Sequence, residues 1–270
     1  MGALPATLAG AVQGALQASA GWWPWLAAPL IGLSLGLFGA GGGMLTVPLL
    51  VYGAGLPLKQ AVAMSVWLVA GVSLVAAVHQ RAWRVMRPGL LAFFGVGGIL
   101  GGVAGAWLGA RVPDLAQQLL FGALLLVVAA WTLRAPLREA LPLSFRCRCG
   151  LALLAGAGLG VLTGLLGVGG GFLMVPVLIA LGLAHLPTAV AHSLVLIVGN
   201  ALAAGLTYLG EVPLDLGLLT GIGGLAALGA VVGSHLLHRL PQAPLQKGFS
   251  VALALLGAVM LGQGLAAALS

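Results

Sequence analysis

The sequence predicts an all-α polytopic membrane protein built from two inverted repeats, each with about four hydrophobic segments. Three observations predict this fold: an apolar composition, a glycine motif that occurs twice, and an uneven distribution of Lys and Arg. Of the 270 residues, 61% are hydrophobic and 6% are charged, and the mean hydropathy is +1.18. A soluble domain carries about 25% charged residues. The lipid bilayer is therefore the expected surroundings of this chain.

Residues 1–25 form an N-terminal segment ahead of the first repeat. Met1 to Ala20 are apolar and uncharged, without the basic region that begins a secretory signal peptide. An interfacial helix, a loose segment and a weak extra span all remain open for this stretch. Trp22, Trp23 and Trp25 then indicate a membrane interface, where amphipathic aromatic rings are enriched.

Residues 26–134 form repeat 1, residues 135–149 a cytoplasmic linker, and residues 150–270 repeat 2. Hydrophobic segments of span length divide each repeat into four parts. The predicted segments are Leu26–Tyr52, Gln60–Val78, Pro88–Ala110 and Ala116–Leu133, followed by Gly150–Leu183, Thr188–Leu209, Leu214–Leu237 and Leu245–Leu269.

The glycine motif lies in the first segment of each repeat. Residues 36–48 read GLFGAGGGMLTVP and residues 164–176 read GLLGVGGGFLMVP, an offset of 164 − 36 = 128. Three successive glycines weaken a helix by roughly 1 kcal/mol each relative to alanine. The same offset pairs residues throughout both repeats, as in Ser65 with Ser193, Gly101 with Gly229 and Phe121 with Phe249. Duplicated halves are typical of secondary transporters.

Helix length and charge predict how the broken segments lie. As one continuous helix, residues 26–53 would be about 42 Å long against a hydrocarbon core of about 30 Å. A re-entrant hairpin broken at the triplet fits better and leaves three full crossings per repeat, so the repeats are inverted. The hairpin model also places nine of the eleven Lys and Arg on one face of the membrane, whereas a model in which the broken segments cross fully places seven there. These nine are Arg81, Arg84, Arg87, Arg134, Arg138, Arg146, Arg148, Arg239 and Lys247.

The doubled motif, with an Ala-x-Ala-x-Ser stretch after it, resembles the TauE/SafE sulfite exporter family, also called the toluene sulfonate uptake permeases. The resemblance covers roughly residues 26 to 265. It implies a multi-pass transporter of the bacterial inner membrane for a small anionic substrate such as sulfite, a sulfonate or another organic anion. Substrates vary widely within the family, so the resemblance implies the class of substrate and no single compound.

The glycine triplets are candidate substrate-binding sites. At a helix break the first amides of the following half-helix lack partners and carry partial positive charge, which suits an anion. This interpretation assigns substrate binding to Gly41, Gly42, Gly43, Gly169, Gly170 and Gly171. The alternative is that these glycines only permit close helix packing. That packing role is expected for Gly101, Gly105 and Gly109 and for Gly156, Gly160 and Gly164.

Four polar side chains within the predicted spans are further candidates for substrate binding. Ser65 and Ser193 are repeat mates, although a lone intramembrane serine often bonds its own helix. His192 and Asn200 are eight residues apart, on one helix face, and each needs a partner in apolar surroundings. Away from the ends of the predicted spans, His192 is the one side chain that titrates near neutral pH.

The remaining sequence features narrow the function. The carboxylates Asp114, Glu139, Glu211 and Asp215 all fall in loops or at the ends of predicted segments, and no nucleotide-binding or hydrolase motif occurs. The expectation is therefore a protein that is not an enzyme, needs no cofactor or metal, and binds no nucleic acid. A secondary anion transporter is favoured, with a passive anion channel and a non-transporting membrane scaffold as alternatives. The oligomeric state stays open, a homo-oligomer included.

Overall fold

The computed structural model describes residues 23–38, 42–134, 149–167, 171–181, 186–209, 211–236 and 242–269. These residues form ten α-helices, which confirms the prediction of an all-α protein. In chain order the helices are α1 Trp23–Phe38, α2 Gly42–Pro48, α3 Leu58–His79, α4 Pro88–Arg111, α5 Asp114–Arg134, α6 Cys149–Leu166, α7 Gly171–Ala180, α8 Leu186–Tyr208, α9 Leu216–Leu236 and α10 Gln242–Leu269.

The helix boundaries repeat with the 128-residue offset of the sequence. Leu58 and Leu186 begin α3 and α8, with 186 − 58 = 128. The same difference separates the starts of α4 and α9 (216 − 88) and of α5 and α10 (242 − 114). The two halves of the chain therefore contain equivalent helices in the same order, so the sequence duplication extends to local structure.

The first predicted segment of each repeat consists of two shorter helices. In repeat 1, α1 ends at Phe38 and α2 begins at Gly42; in repeat 2, α6 ends at Leu166 and α7 begins at Gly171. Past Pro48, α2 continues as one π-helical turn over Leu49–Gly53. Proline has no amide hydrogen to donate to the preceding turn, so a change in helix type there is expected. The sequence pattern does not predict this turn.

Glycines bring helices of different repeats into backbone contact. A Cβ built on Gly101 or Gly105 of α4 would overlap a carbonyl of α6, belonging to Ala157 or Val161. On α6, Gly156, Gly160 and Gly164 approach α4 just as closely. The prediction that these two glycine rows pack helices is therefore confirmed. Small residues have this role in membrane helices because lipid offers no hydrophobic drive for their association.

The first helix of repeat 1 makes the equivalent contact with repeat 2. Gly32 and Gly36 of α1 lie against the carbonyls of Ala226 and Ala230 of α9. Because residue numbers rise together along both helices, α1 and α9 run parallel. The first helix of each repeat thus packs on the fourth helix of the other repeat.

Equivalent helices of the two repeats pack in opposite directions. Along α5 and α10, Gly122 lies against Leu261 and Gly264 lies against Leu119, so one number rises as the other falls. Along α3 and α8, Trp67 lies against Gly205, while His79 and Thr188 line one cavity. Both pairs of repeat mates are therefore antiparallel.

Helices α3 and α8 are the centre of the bundle. Of the ten described helices, six are long and apolar enough to cross a membrane, three in each half. In α3 and α8, 72% and 67% of the positions are buried, against 22–44% in the other four. The exposed positions of those four carry large apolar side chains such as Leu100, Val127, Leu228 and Leu255. Such an apolar outer surface is expected for helices that face lipid.

Charged side chains divide between the two ends of the bundle. One end carries Arg81, Arg84 and Arg87, and we call it the arginine end. The opposite end carries Asp114, Glu211 and Asp215, and we call it the acidic end. At the acidic end Lys59 forms an ion pair with Asp114 at 3.6 Å. Each carboxylate among the described residues thus lies at the end opposite Arg81, Arg84 and Arg87, an end that also carries Arg111.

Candidate functional site

Ser65 connects α3 of repeat 1 to the glycine motif of repeat 2. Its side chain is buried, and Oγ lies 2.8 Å from the carbonyl oxygen of Gly167 and 2.7 Å from that of Val62. A hydroxyl carries one hydrogen, so it donates to one of these carbonyls at a time. The predicted bond of this serine to its own helix is therefore one of two observed contacts. The second contact is with Gly167, which directly follows the last residue of α6.

Gly167 itself has a backbone conformation that requires glycine. Its φ is +69°, in the left-handed region, and a Cβ there would collide with Oγ of Ser65. The sequence motif thus supplies a glycine where the chain leaves α6 and turns toward α7. Gly167 is therefore required both by its left-handed backbone conformation and by its close contact with Ser65.

The glycine triplets are only partly within the described residues. Gly42 opens α2, Gly43 is buried next to it, and Gly171 opens α7. Gly41, Gly169 and Gly170 lie outside the described residues. The substrate-binding role of all six glycines stays a prediction.

Ser193 is buried on α8, where its hydroxyl donates to the carbonyl of Val190 at 2.8 Å. Ser65 makes the corresponding bond to Val62, three residues earlier in its own helix. The 128-residue offset relates Ser193 to Ser65 and Gly167 to Gly39, which lies outside the described residues. Ser193 therefore repeats the bond that its mate makes within its own helix, and its role in binding stays a prediction.

His192 is buried with both ring nitrogens in hydrogen-bond contact. Nδ1 lies 2.8 Å from the carbonyl oxygen of Thr188, and Nε2 lies 2.9 Å from the amide nitrogen of Arg87. The carbonyl needs a donor and the amide needs an acceptor, so the neutral ring with hydrogen on Nδ1 satisfies both. His192 thereby joins α8 to the start of α4. A direct contact with an anion requires one of these bonds to break.

Removing His192 is expected to lower stability more than anion affinity. His192→Ala removes the acceptor of this part-buried bond from the Arg87 amide, a loss of about 0.5–1.5 kcal/mol for a typical hydrogen bond. His192→Gln keeps an acceptor and a donor and should retain most of that stability. Thermal unfolding and anion binding of both variants test this expectation. A stable His192→Ala protein that no longer binds anions would instead identify His192 as a ligand.

Asn200 is the least satisfied polar side chain at the centre of the bundle. It is fully buried on α8, and neither its Oδ1 nor its Nδ2 has a hydrogen-bond partner among the described residues. The amide lies directly against Gly98 of α4, where a Cβ would overlap it, and the carbonyl of Asn200 faces Gly102. An amide left unpaired in an apolar interior costs about 1–3 kcal/mol. Such a group is expected to meet a ligand or water.

Two further unpaired polar groups belong to α3, and the sequence analysis missed both. Nε1 of Trp67 and Oγ of Ser73 are buried without a partner in the described part of the chain. Trp67 lies two residues after Ser65 on α3, and its ring packs on Gly205 of α8. A signal was present, because the repeat mate of Trp67 is Val195 and that of Ser73 is Ala201. Such departures from the repeat mark positions where one half carries a polar group alone.

Each end of the bundle also contains a polar cavity of about 370 Å³. At the arginine end the lining includes His79, Gln80, Thr188, Ser234 and His235. At the acidic end the polar lining is Tyr52, Asp114, Gln118 and Gln263. In the described residues no three His, Cys, Asp or Glu side chains cluster as metal ligands would.

Together, the long apolar helices, the lipid-type surface and the buried polar groups on α3 and α8 define a polytopic membrane protein with a polar centre. The sequence profile of the family described as "Sulfite exporter TauE/SafE" matches residues 24–260. The chain therefore belongs to this family of membrane transporters. The resemblance inferred from the doubled glycine motif is confirmed.

Two curated relatives agree with this assignment, and both are named "Probable membrane transporter protein". One, from Xylella fastidiosa strain 9a5c, is 31% identical over 234 residues, which cover 78% of this chain and 86% of the relative. The other, from Xylella fastidiosa strain Temecula1, is 32% identical over 160 residues, covering 56% of this chain and 59% of the relative. No solved structure matches the chain.

Proposed function

We propose that the protein is a secondary transporter of small anions such as sulfite, organosulfonates or related organic anions. The observation that carries this proposal is the amide of Asn200, which is fully buried at the centre of a transporter-family fold and has no hydrogen-bond partner among the described residues. A carrier that holds a polar substrate in an apolar interior must keep hydrogen-bond groups free for it. These groups therefore have no hydrogen-bond partner when the substrate is absent.

The chemistry of the free groups suits an oxyanion. Nδ2 of Asn200 and Nε1 of Trp67 are N–H donors, and each is buried without an acceptor in the described residues. The opening residues of α2 and α7, Gly42 and Gly171, begin half-helices whose first amides have no intrahelical partner. Sulfite and sulfonate oxygens accept such hydrogen bonds, and helix N-termini favour negative charge. Ser65 and Ser193 add hydroxyls at the same level.

We further propose that the repeats are inverted and exchange access by moving against each other. The antiparallel packing of α3 on α8 and of α5 on α10 supports this arrangement, because repeat mates related by an axis in the membrane plane run in opposite directions. The candidate binding groups lie on α3, α8 and the two breaks, where the repeats meet. Rocking of one repeat against the other would then expose one site to either face.

The broken segments enter and leave on one side in this proposal. Trp25, early in α1, lies against Gly221, near the acidic end of α9, while Gly36 reaches Ala230. Tyr52, at the end of α2, lines the cavity of the acidic end with Asp114. Both contacts support a hairpin that starts and finishes at the acidic end. The enrichment of Arg at the other end supports placing that end in the cytoplasm of a bacterial inner membrane.

Cysteine labelling tests this topology. With Cys147 and Cys149 replaced by serine, Arg84→Cys and Gly150→Cys should react with an impermeant reagent only from the cytoplasm. Glu211→Cys should react only from outside. Labelling of positions 150 and 211 from the same face would contradict the hairpin, because a full crossing of residues 150–183 followed by α8 would return position 211 to the side of position 150.

Ligand-dependent thermal stability tests the substrate class. Purified protein is heated with sulfite, methanesulfonate, benzenesulfonate, acetate and chloride, and with neutral dimethyl sulfone as the uncharged control. A ligand that binds the folded state alone raises stability by about 2.7 kcal/mol at a hundredfold excess over its Kd. We expect sulfite or a sulfonate to raise the melting temperature and the sulfone to leave it unchanged. Stabilisation by the sulfone to the same degree would contradict an anion site.

A further inference from the structure

Two histidines from different repeats meet at the arginine end. His79 is the last residue of α3, and His235 lies one residue before the end of α9. Nε2 of His79 lies 3.2 Å from Nδ1 of His235, and the ring centroids are 4.6 Å apart. The sequence separates these residues by 156 positions, so only the packing of α3 beside α9 brings them together.

The geometry determines how many protons this pair can hold. Nδ1 of His235 is also 3.1 Å from the carbonyl oxygen of Val231, so this nitrogen carries the hydrogen and Nε2 of His79 accepts it. One extra proton can then bind at Nε2 of His235 without breaking the contact between the rings. A second would have to bind at Nε2 of His79, where two N–H groups would oppose each other. The intact pair is therefore either neutral or singly positive.

The pair faces a cavity of about 370 Å³, lined also by Gln80, Thr188 and Ser234. A water molecule takes about 30 Å³ in the liquid, so the space holds a small oxyanion with some hydration. The charged or titratable groups on the surrounding described elements are Arg81, Arg84 and Arg87 of the α3–α4 connection and His192 of α8. None of these groups is acidic. The surroundings of the cavity therefore favour an anion.

We propose that His79 and His235 form an anion-binding vestibule that takes up a small oxyanion together with one proton. The proton comes from bulk water and makes the imidazole pair positive, and the anion neutralises it. A transition metal is the other ligand that two imidazoles attract. The described residues supply no third His, Cys, Asp or Glu for one, so an anion is favoured. This inference rests on the proposed anion transport and adds a second binding site to it.

Binding of methanesulfonate to the purified protein tests the vestibule. This probe stays fully ionised between about pH 5.5 and about pH 8, the range in which imidazole titrates, so any pH dependence reports the protein. Calorimetry in two buffers of different ionisation enthalpy counts the protons taken up. We expect tighter binding at the lower pH, with about one proton absorbed for each anion. Absence of proton uptake by the unaltered protein would overturn the inference without any substitution.

Substitutions then locate the site. His235→Gln should remove the proton uptake, because it deletes the ring nitrogen that binds the extra proton, and His79→Gln should diminish the uptake. Each variant should lower affinity at about pH 5.5 by at least about tenfold. Gln118→Ala, in the cavity of the acidic end, is the matched control and should change neither. Proton-linked binding that persists unaltered in both histidine variants would overturn the proposal.

The Asn200→Leu variant separates this inference from the proposed function. Proton-linked methanesulfonate binding that survives in this variant supports a vestibule distinct from the central site. Complete loss of binding in Asn200→Leu would overturn the separate vestibule while leaving a central anion site intact. Failure of the unaltered protein to bind any anion of the panel at either pH would overturn both.

Discussion

Replacing Asn200 with leucine is expected to abolish anion transport while leaving the protein at least as stable as before. Leucine has a similar size and removes two buried polar atoms that have no partner among the described residues. Because an unpaired buried amide costs about 1–3 kcal/mol, its removal should not lower the melting temperature. Anion affinity, measured at about pH 8, should fall at least about tenfold, or roughly 1.4 kcal/mol.

Gln118 provides the matched control for this substitution. Its amide is also within the bundle, but Nε2 donates to the carbonyl of Met260 on α10 at 3.2 Å. Gln118→Leu makes the same chemical change at a partnered side chain away from α3 and α8, so stability should fall and transport should persist. Wild-type transport by Asn200→Leu, or a marked loss of its stability, would assign Asn200 a structural role.

Adding a methyl group at Gly42 or Gly170 is the second change with a large expected effect. If amides at the breaks bind the anion, a Cβ there blocks its approach and favours continuous helix by about 1 kcal/mol. Gly42→Ala and Gly170→Ala should each lower anion affinity at least about tenfold, roughly 1.4 kcal/mol, with nearly unchanged melting temperature. Equilibrium binding and thermal unfolding measure the two effects separately.

Two other glycines calibrate this result. A Cβ on Gly105 would overlap the carbonyl of Val161, so Gly105→Ala should destabilise by about 1–3 kcal/mol or more and leave the surviving protein able to bind. A Cβ on Gly71 meets nothing within 4 Å, so Gly71→Ala should be neutral in both assays. If Gly42→Ala behaves like Gly105→Ala, the triplet is a packing element.

Much of the fold was predictable because the sequence contains the same pattern in both halves. The doubled motif and its 128-residue offset predicted equivalent helices, and the starts of α3 and α8, α4 and α9, and α5 and α10 obey that offset. Hydrophobic segments predicted the helix ends to within a few residues. The predicted start at Gln60 compares with the observed start of α3 at Leu58, and Leu245 compares with the start of α10 at Gln242. The π-helical turn after Pro48 was missed, since hydropathy does not distinguish helix types.

The candidate site was less predictable because its contacts join distant parts of the chain. Burial of Ser65, His192, Ser193 and Asn200 followed from their place in apolar helices. Their partners did not follow, because the contact of Ser65 with Gly167 depends on the packing of one repeat against the other. For the same reason, sequence alone could not distinguish the satisfied ring of His192 from the unpaired amide of Asn200.

The histidine pair at the arginine end shows the same limit. His79 and His235 lie at helix ends and are not repeat mates, since the 128-residue offset places His79 opposite Thr207 and His235 opposite Trp107. Both residues therefore depart from the repeat pattern, but nothing in the sequence indicates that they meet. Their contact arises from tertiary packing that aligns the last turns of α3 and α9.

Counterflow in sealed proteoliposomes tests the central claim, secondary transport of small anions, most directly. Vesicles loaded with unlabelled sulfite are diluted into a trace of labelled sulfite, and a parallel set uses an organosulfonate. A carrier is predicted to accumulate the label transiently above equilibrium, because the outward flow of unlabelled anion drives its exchange. Folded, correctly inserted protein that accumulates no label with any anion of the panel, or that only equilibrates it, would contradict the account.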